Sequence, residues 1–144
     1  MQDHERPLST EGRESALKVA MVLKHKISCP DLLISSPAVR AFDTAVIMAE
    51  AMNYPRHEIL VESKIYDGNT EDLFSTIVAL PNDLDTVMIT GHNPTITQLA
   101  NSMMSRKIDY MPNTGVVCLE FAVEAWEEIP LAKGKMAFIL GSGL

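Results

Sequence analysis

"DLLISSPAVRAFDTAVIMAEAM", residues 31–52, decides the fold. Its first five residues, Asp31-Leu32-Leu33-Ile34-Ser35, are nearly all apolar and do not alternate. That pattern predicts a short strand buried on both faces. Ser36-Pro37 then opens a helix, because serine caps helix N-termini and proline suits the first helical position. Ala38, Ala41, Phe42, Ala45, Met48, Ala49 and Met52 trace one apolar face at helical spacing. A buried strand feeding an amphipathic helix is the building unit of a sheet covered by helices.

The same arrangement recurs in "TVMITGHNPTITQLA", residues 86–100. Thr86 to Thr90 reads as a second buried strand. Gly91 allows a tight or unusual backbone angle, Asn93-Pro94 is a turn and helix-start signal, and a helix is expected from about Thr95 to Met104. Around these units, residues 11–26 predict a helix with Ala16, Val19, Ala20 and Leu23 inward and Ser9 or Thr10 as its cap. Residues 58–61 suggest a strand. Thr70 to about Leu80 reads as a helix with Leu73, Phe74, Ile77 and Val78 inward, followed by a turn at Pro81-Asn82-Asp83. Val116–Phe121 and Met136–Leu140 look like strands. The alternation predicts one α/β domain over residues 1–144, a three-layer α/β/α sandwich around a mostly parallel sheet. Ligands in such folds bind beyond the carboxyl ends of the strands.

Bulk properties narrow the function. Of 144 residues, 47% are hydrophobic and 22% charged, enough apolar material for one core. The net charge of -7 repels nucleic acid and anionic membranes, so neither is an expected partner. No run approaches the roughly 18 apolar residues of a membrane span, and the polar start is no signal peptide. A cytoplasmic location is expected. Cys29 and Cys118 form no C-x-x-C pair, and no His, Asp or Glu spacing suggests a metal site. Nucleotide loops and the G-x-S-x-G elbow are missing, so no cofactor is expected.

Chemistry therefore concentrates at two strand ends. Arg40 falls in the first turn of its helix, where a cation is slightly unfavourable and wants another reason to be there. A helix N-terminus with an arginine fork suits phosphate oxygens. His92 sits at the carboxyl end of the other strand, not on an apolar helix face. His25 lies near a helix end beside lysines, His57 in an expected surface loop after Pro55-Arg56, and His4 in a charged N-terminal segment; these are weaker candidates. A packing or capping role for His92, and a surface ion pair for Arg40, are the plain alternatives.

Taken in order, "HERPLSTEGRESA" (4–16), "DLLISSPAVRAFDTAVIMAEAM" (31–52), "IYDGNTEDL" (65–73), "TVMITGHNPTITQLA" (86–100) and "MPNTGVVCLEF" (111–121) resemble the histidine phosphatases of the phosphoglycerate-mutase-like superfamily. The likeness is strongest to the small phosphohistidine phosphatases. The S-S-P-x-x-R-A-x-x-T-A and G-H-N-P strings are its specific parts. The resemblance implies a hydrolase in which a histidine of an Arg-His pair attacks phosphorus, becomes phosphorylated and is released by water. A second arginine and a second histidine hold the phosphoryl oxygens; by motif position these are Arg40 and His92. Ser36 and Asn93 flank them as further phosphate-binding candidates. No leaving-group acid is assigned; Glu71, Asp72 and Tyr66 are the neighbouring acids and hydroxyl.

The family pattern begins with a strand ending in Arg-His ahead of the segment matching residues 4–16. This chain shows no such strand, and Arg56-His57 neither ends an apolar strand nor falls at that place in the order. The resemblance thus implies a phosphoglycerate-mutase-like fold with its first strand absent and no nucleophilic histidine in the printed residues. Truncation at the N-terminus is the simpler expectation. The leading expectation is a phosphatase acting on protein phosphohistidine or a small phosphorylated substrate. The alternative is a non-catalytic phosphate-binding or protein-interaction module that lacks the nucleophile.

Overall fold

The computed structural model describes residues 5–109, 111 and 114–141. Its first element is helix α1 (Thr10–Leu23). Ser9 caps it, with Oγ accepting the Gly12 N–H at 3.0 Å, and the helix buries Ala16, Val19, Ala20 and Leu23 as the periodicity predicts. Strand β1 (Leu32–Ser35) follows, then helix α2 (Val39–Ala51). The helix starts later than Ser36-Pro37 suggests. The Ser36 N–H is taken by the Thr90 carbonyl at 3.0 Å, so Ser36 still belongs to the sheet. Its Oγ accepts the Ala38 N–H at 3.2 Å, and Ala38 occupies the cap position.

A 3-10 turn (Arg56–Glu58) leads to the short strand β2 (Leu60–Val61) and the one-turn helix α3 (Lys64–Asp67). Helix α4 (Thr70–Val78) is closed by a reciprocal cap. Asn69 Oδ1 accepts the Asp72 N–H at 3.0 Å, and Asp72 Oδ2 accepts the Asn69 N–H at 3.1 Å. Strand β3 (Val87–Thr90), helix α5 (Thr95–Ser102), strand β4 (Val116–Glu120), a 3-10 segment (Trp126–Leu131) and strand β5 (Lys135–Leu140) complete the order.

β1 is the centre of a parallel sheet ordered β2-β1-β3. Leu32, Leu33, Ile34 and Ser35 face Val87, Met88, Ile89 and Thr90 in register. The loops entering β1 and β3 are pinned together by Asp31. Its Oδ2 accepts the N–H groups of Asp85 at 2.8 Å and Thr86 at 3.0 Å. Those two backbone donors hold the Asp31 carboxyl below its ordinary range. On the same strand, the Tyr54 hydroxyl accepts the Leu33 N–H and donates to the Glu58 carbonyl.

Helices cover both faces, which gives the three layers. On one side Ala16, Val19, Ala20 and Leu23 of α1 meet Ile47 and Met48 of α2, with Met88, Val116 and Phe138 packed against them. On the other, Leu73, Ile77 and Leu99 of α4 and α5 meet Ile34, Ile65 and Ile129. The parallel expectation holds for β1, β2 and β3. β4 and β5 instead pair with each other, antiparallel, as a separate two-stranded sheet. Among the described residues β3 pairs with β1 alone and β4 with β5 alone. A cavity of about 1270 Å³ lies along them, lined by β3, by β4 and by side chains from both apolar clusters.

Candidate active site

The parallel register puts the carboxyl ends of β1 and β3 side by side, with Ser35 opposite Thr90. The connection after β1 spans residues 36–38 and that after β3 spans residues 91–94. Such short turns leave little freedom, so Arg40 and His92 are carried on adjacent strand-to-helix corners. Both are partly buried and both line the same cavity. The sequence-predicted pair is thus brought together at the end of the sheet where ligands bind in this architecture.

His92 is held by its surroundings. Its carbonyl accepts the Ile96 N–H at 2.9 Å, which starts the turn into α5. The ring of Tyr66, from α3, stands edge-on against the imidazole, with centroids 5.2 Å apart and planes at 83°. Gly91 does not adopt a left-handed backbone there. Its role is space, because a Cβ at this position would lie 3.0 Å from Ile65 Cγ2.

Ser36 and Asn93 are present at the two corners but are engaged in building them. Ser36 is fully buried, and its hydroxyl serves the Ala38 N–H. Asn93 precedes a cis peptide to Pro94. Its Nδ2 donates to the Met111 carbonyl at 2.9 Å, and its Oδ1 accepts from the Thr97 hydroxyl. Thr97 Oγ1 in turn accepts the Met111 N–H at 3.0 Å. Asn93, Thr97 and Met111 form a clasp that ties the start of α5 to the segment entering β4.

A residue outside the sequence candidates also reaches this region. Arg6 lines the cavity together with Arg40 and His92. Its segment is tied down where the Leu8 N–H donates to Asp43 Oδ2 at 3.0 Å, and Asp43 also pairs with Arg13 at 3.5 Å. An "R-P-L-S" run ahead of a helix cap gives little signal by itself, and Asp43 reads as an ordinary surface acid. Asp72 is occupied with the α4 cap, and Glu71 is exposed. Arg56 and His57 are both exposed on their 3-10 turn and do not line the cavity. His4 and the tail at 142–144 lie outside the described residues. Among the described residues no group of three or more His, Cys, Asp or Glu side chains could hold a metal ion, and no helix is long and apolar enough to cross a membrane.

The chain is similar to known proteins in sequence and in fold. The family model of the histidine phosphatase superfamily (branch 1) matches residues 2–69, a stretch that includes Arg40. An uncharacterised chloroplastic protein of Arabidopsis thaliana is 29% identical over 136 residues. The match covers 89% of this chain, and the chain spans 62% of that relative. Among solved structures, a Nakamurella multipartitia protein provisionally named phosphohistidine phosphatase SixA superposes with a TM-score of 0.85 at 19% identity, covering 100% of this chain and 89% of that one. The protein histidine phosphatase SixA complexed with tungstate gives 0.82 at 18% identity, covering 97% and 86%. A mycobacterial glucosyl-3-phosphoglycerate phosphatase bound to VO3 gives 0.72 at 17% identity, covering 99% and 91%. The chain resembles the histidine phosphatase superfamily in sequence over its first half and in fold throughout.

Proposed function

We propose that this chain is the phosphoryl-binding body of a histidine-type phosphatase, and that protein phosphohistidine is its substrate. The observation that carries the reading is the pairing of Arg40 and His92 on adjacent strand-to-helix corners above one cavity. An arginine fork and an imidazole placed together in a chain of net charge -7 make a local anion site that the overall field does not provide. Arg40 and His92 hold the non-bridging phosphoryl oxygens and stabilise the charge that grows on them during transfer, where preorganised donors contribute most. Ser36 and Asn93 act one step back, by fixing the two corners.

In the proposed reaction a histidine takes the phosphoryl group. A new N–P bond forms as the substrate's N–P bond breaks, and the leaving imidazole is protonated. Water then attacks phosphorus, releasing inorganic phosphate and the free histidine. The nucleophile is assigned to no residue of 1–144. Protein phosphohistidine is favoured over a sugar phosphate because the connections bearing Arg40 and His92 are short and carry no inserted cap. Two free cysteines fit a reducing compartment, and we place the protein in the cytoplasm on that ground. The test is hydrolysis of a phosphohistidine peptide by the protein as its source cell makes it. Arg40→Ala and His92→Ala should each lower turnover about a hundredfold or more. Near-normal turnover in both variants would remove the assignment.

A further inference from the structure

Two consecutive residues of α3 meet two consecutive residues of the turn after β3. Ile65 packs so close to Gly91 that a Cβ there would lie 3.0 Å from Ile65 Cγ2. Tyr66 packs on His92, with ring centroids 5.2 Å apart and planes at 83°. The backbone on either side of His92 is thus held separately from its ring. Ile65 closes on Gly91 before it, and Thr97 and Met111 clasp Asn93 after it. Tyr66 reaches the imidazole itself.

α3 is in turn fixed in place. Its entry is tied to the end of β1, where the Glu62 N–H donates to the Ser35 carbonyl at 2.9 Å. Ile65 is 2% exposed and packs with Ile34, Leu73 and Ile77. At the exit, the Lys64 carbonyl accepts the Gly68 N–H at 2.8 Å. A Cβ on Gly68 would run into that carbonyl and into Asp72, so the chain closes tightly and passes straight into the Asn69 cap of α4. A single turn anchored at its entry, middle and exit gives the Tyr66 ring little room to leave His92.

Tyr66 touches the imidazole from outside the anion site. Arg40 and His92 line the cavity, and Tyr66 does not. Its influence on a bound anion therefore passes through His92. That influence matters because the χ2 torsion of a histidine is broad, and a ring with no neighbour sweeps a wide arc. A donor stabilises the charge of a transferring phosphoryl group only if it is already aimed at the oxygens. Edge-to-face packing supplies the aim, and aromatic pairs of this geometry contribute about two- to tenfold to an equilibrium beyond their burial.

We propose that Tyr66 is a positioning residue of the phosphoryl site: it holds the His92 imidazole in the orientation that meets a phosphoryl oxygen, and acts on the anion only through that ring. This role rests on the phosphoryl reading of Arg40 and His92, yet the two can fail separately.

A double-mutant cycle on the 144-residue chain, read by isothermal titration with tungstate, tests it. Tyr66→Leu should weaken tungstate about three- to tenfold in the wild-type background. Tyr66→Phe, which keeps the ring, should recover most of that loss. In the His92→Ala background, Tyr66→Leu should weaken tungstate no further, which a merely structural role would not produce. Nuclear Overhauser contacts between the Tyr66 and His92 ring protons need no variant, and they should persist when tungstate saturates the wild type. Wild-type affinity in Tyr66→Leu, an equal loss in both backgrounds, a Tyr66→Phe variant as weak as Tyr66→Leu, or loss of the ring contact on binding would each overturn the role of Tyr66 and leave the phosphoryl reading standing. A wild type that binds no tungstate, or a His92→Ala variant that binds it as well as the wild type, would remove the phosphoryl reading and this role with it.

Discussion

Thr97→Val tests whether the clasp beside His92 is a structural necessity. The substitution keeps shape and removes one hydroxyl from a residue that is 6% exposed. That hydroxyl donates to Asn93 Oδ1 and accepts the buried Met111 N–H. Leaving a buried N–H without a partner costs about 1–3 kcal/mol, and losing the bond to Asn93 adds to it, so a total of about 2–3 kcal/mol is expected. For a chain of this size each kcal/mol lowers Tm by about 2–4 °C, which predicts a fall of about 5–10 °C. Thr97→Ser is the control. It keeps both hydrogen bonds and loses one methyl, for about 1 kcal/mol. Urea denaturation of the three proteins measures the difference directly. Phosphate affinity should follow the same order, because the clasp fixes the turn that carries His92. If valine costs no more than serine, the hydroxyl does not hold these segments together and the reasoning fails.

Three further outcomes are expected. Gly91→Ala places a Cβ 3.0 Å from Ile65 Cγ2 and should cost about 1–3 kcal/mol by overpacking, with weaker phosphate binding; an unchanged Tm would show that the two elements yield freely. Asp31, whose folded-state carboxyl is held below its ordinary 3.8 by the Thr86 and Asp85 N–H groups, stabilises the fold at pH values above 3.8. That contribution should disappear as pH falls below 3.8 and through the lower folded value, so the stability gap between the wild type and Asp31→Asn should close on acidification. A gap that persists at the acid limit contradicts this. Burial, and to a lesser degree the charge of Glu120, push the Cys118 thiol up, whereas Cys29 is exposed. Iodoacetamide at neutral pH should therefore label Cys29 several-fold faster, as peptide mapping of the alkylated protein can show.

The parts legible in the sequence were those set by local pattern. Helix α1 was marked by Ala16, Val19, Ala20 and Leu23 at helical spacing. β1 and β3 were marked by short apolar runs too uniform to be half-wet, and the corner holding His92 by Gly91 and Asn93-Pro94. Because parallel neighbours align in register, two such corners suffice to bring Arg40 and His92 together. What stayed hidden depends on partners distant in sequence. Nothing near Thr97 announces Met111, and nothing near Asp43 announces Leu8. Gly91 looks like a backbone hinge until Ile65 is seen against it. The start of α2 moved because Thr90 claims the Ser36 N–H, a contact that no window around Ser36 contains. The separation of β4 and β5 from the parallel sheet is likewise a property of edges, which periodicity does not encode.

The central claim is that Arg40 and His92 together form an oxyanion site for a phosphoryl group. Isothermal titration of the 144-residue chain with tungstate tests it most directly. The account predicts one-to-one binding that either Arg40→Ala or His92→Ala weakens by tenfold or more, about 1.4 kcal/mol, while the exposed His57→Ala leaves it unchanged. Tungstate binding that is indifferent to both Arg40 and His92 would contradict the claim.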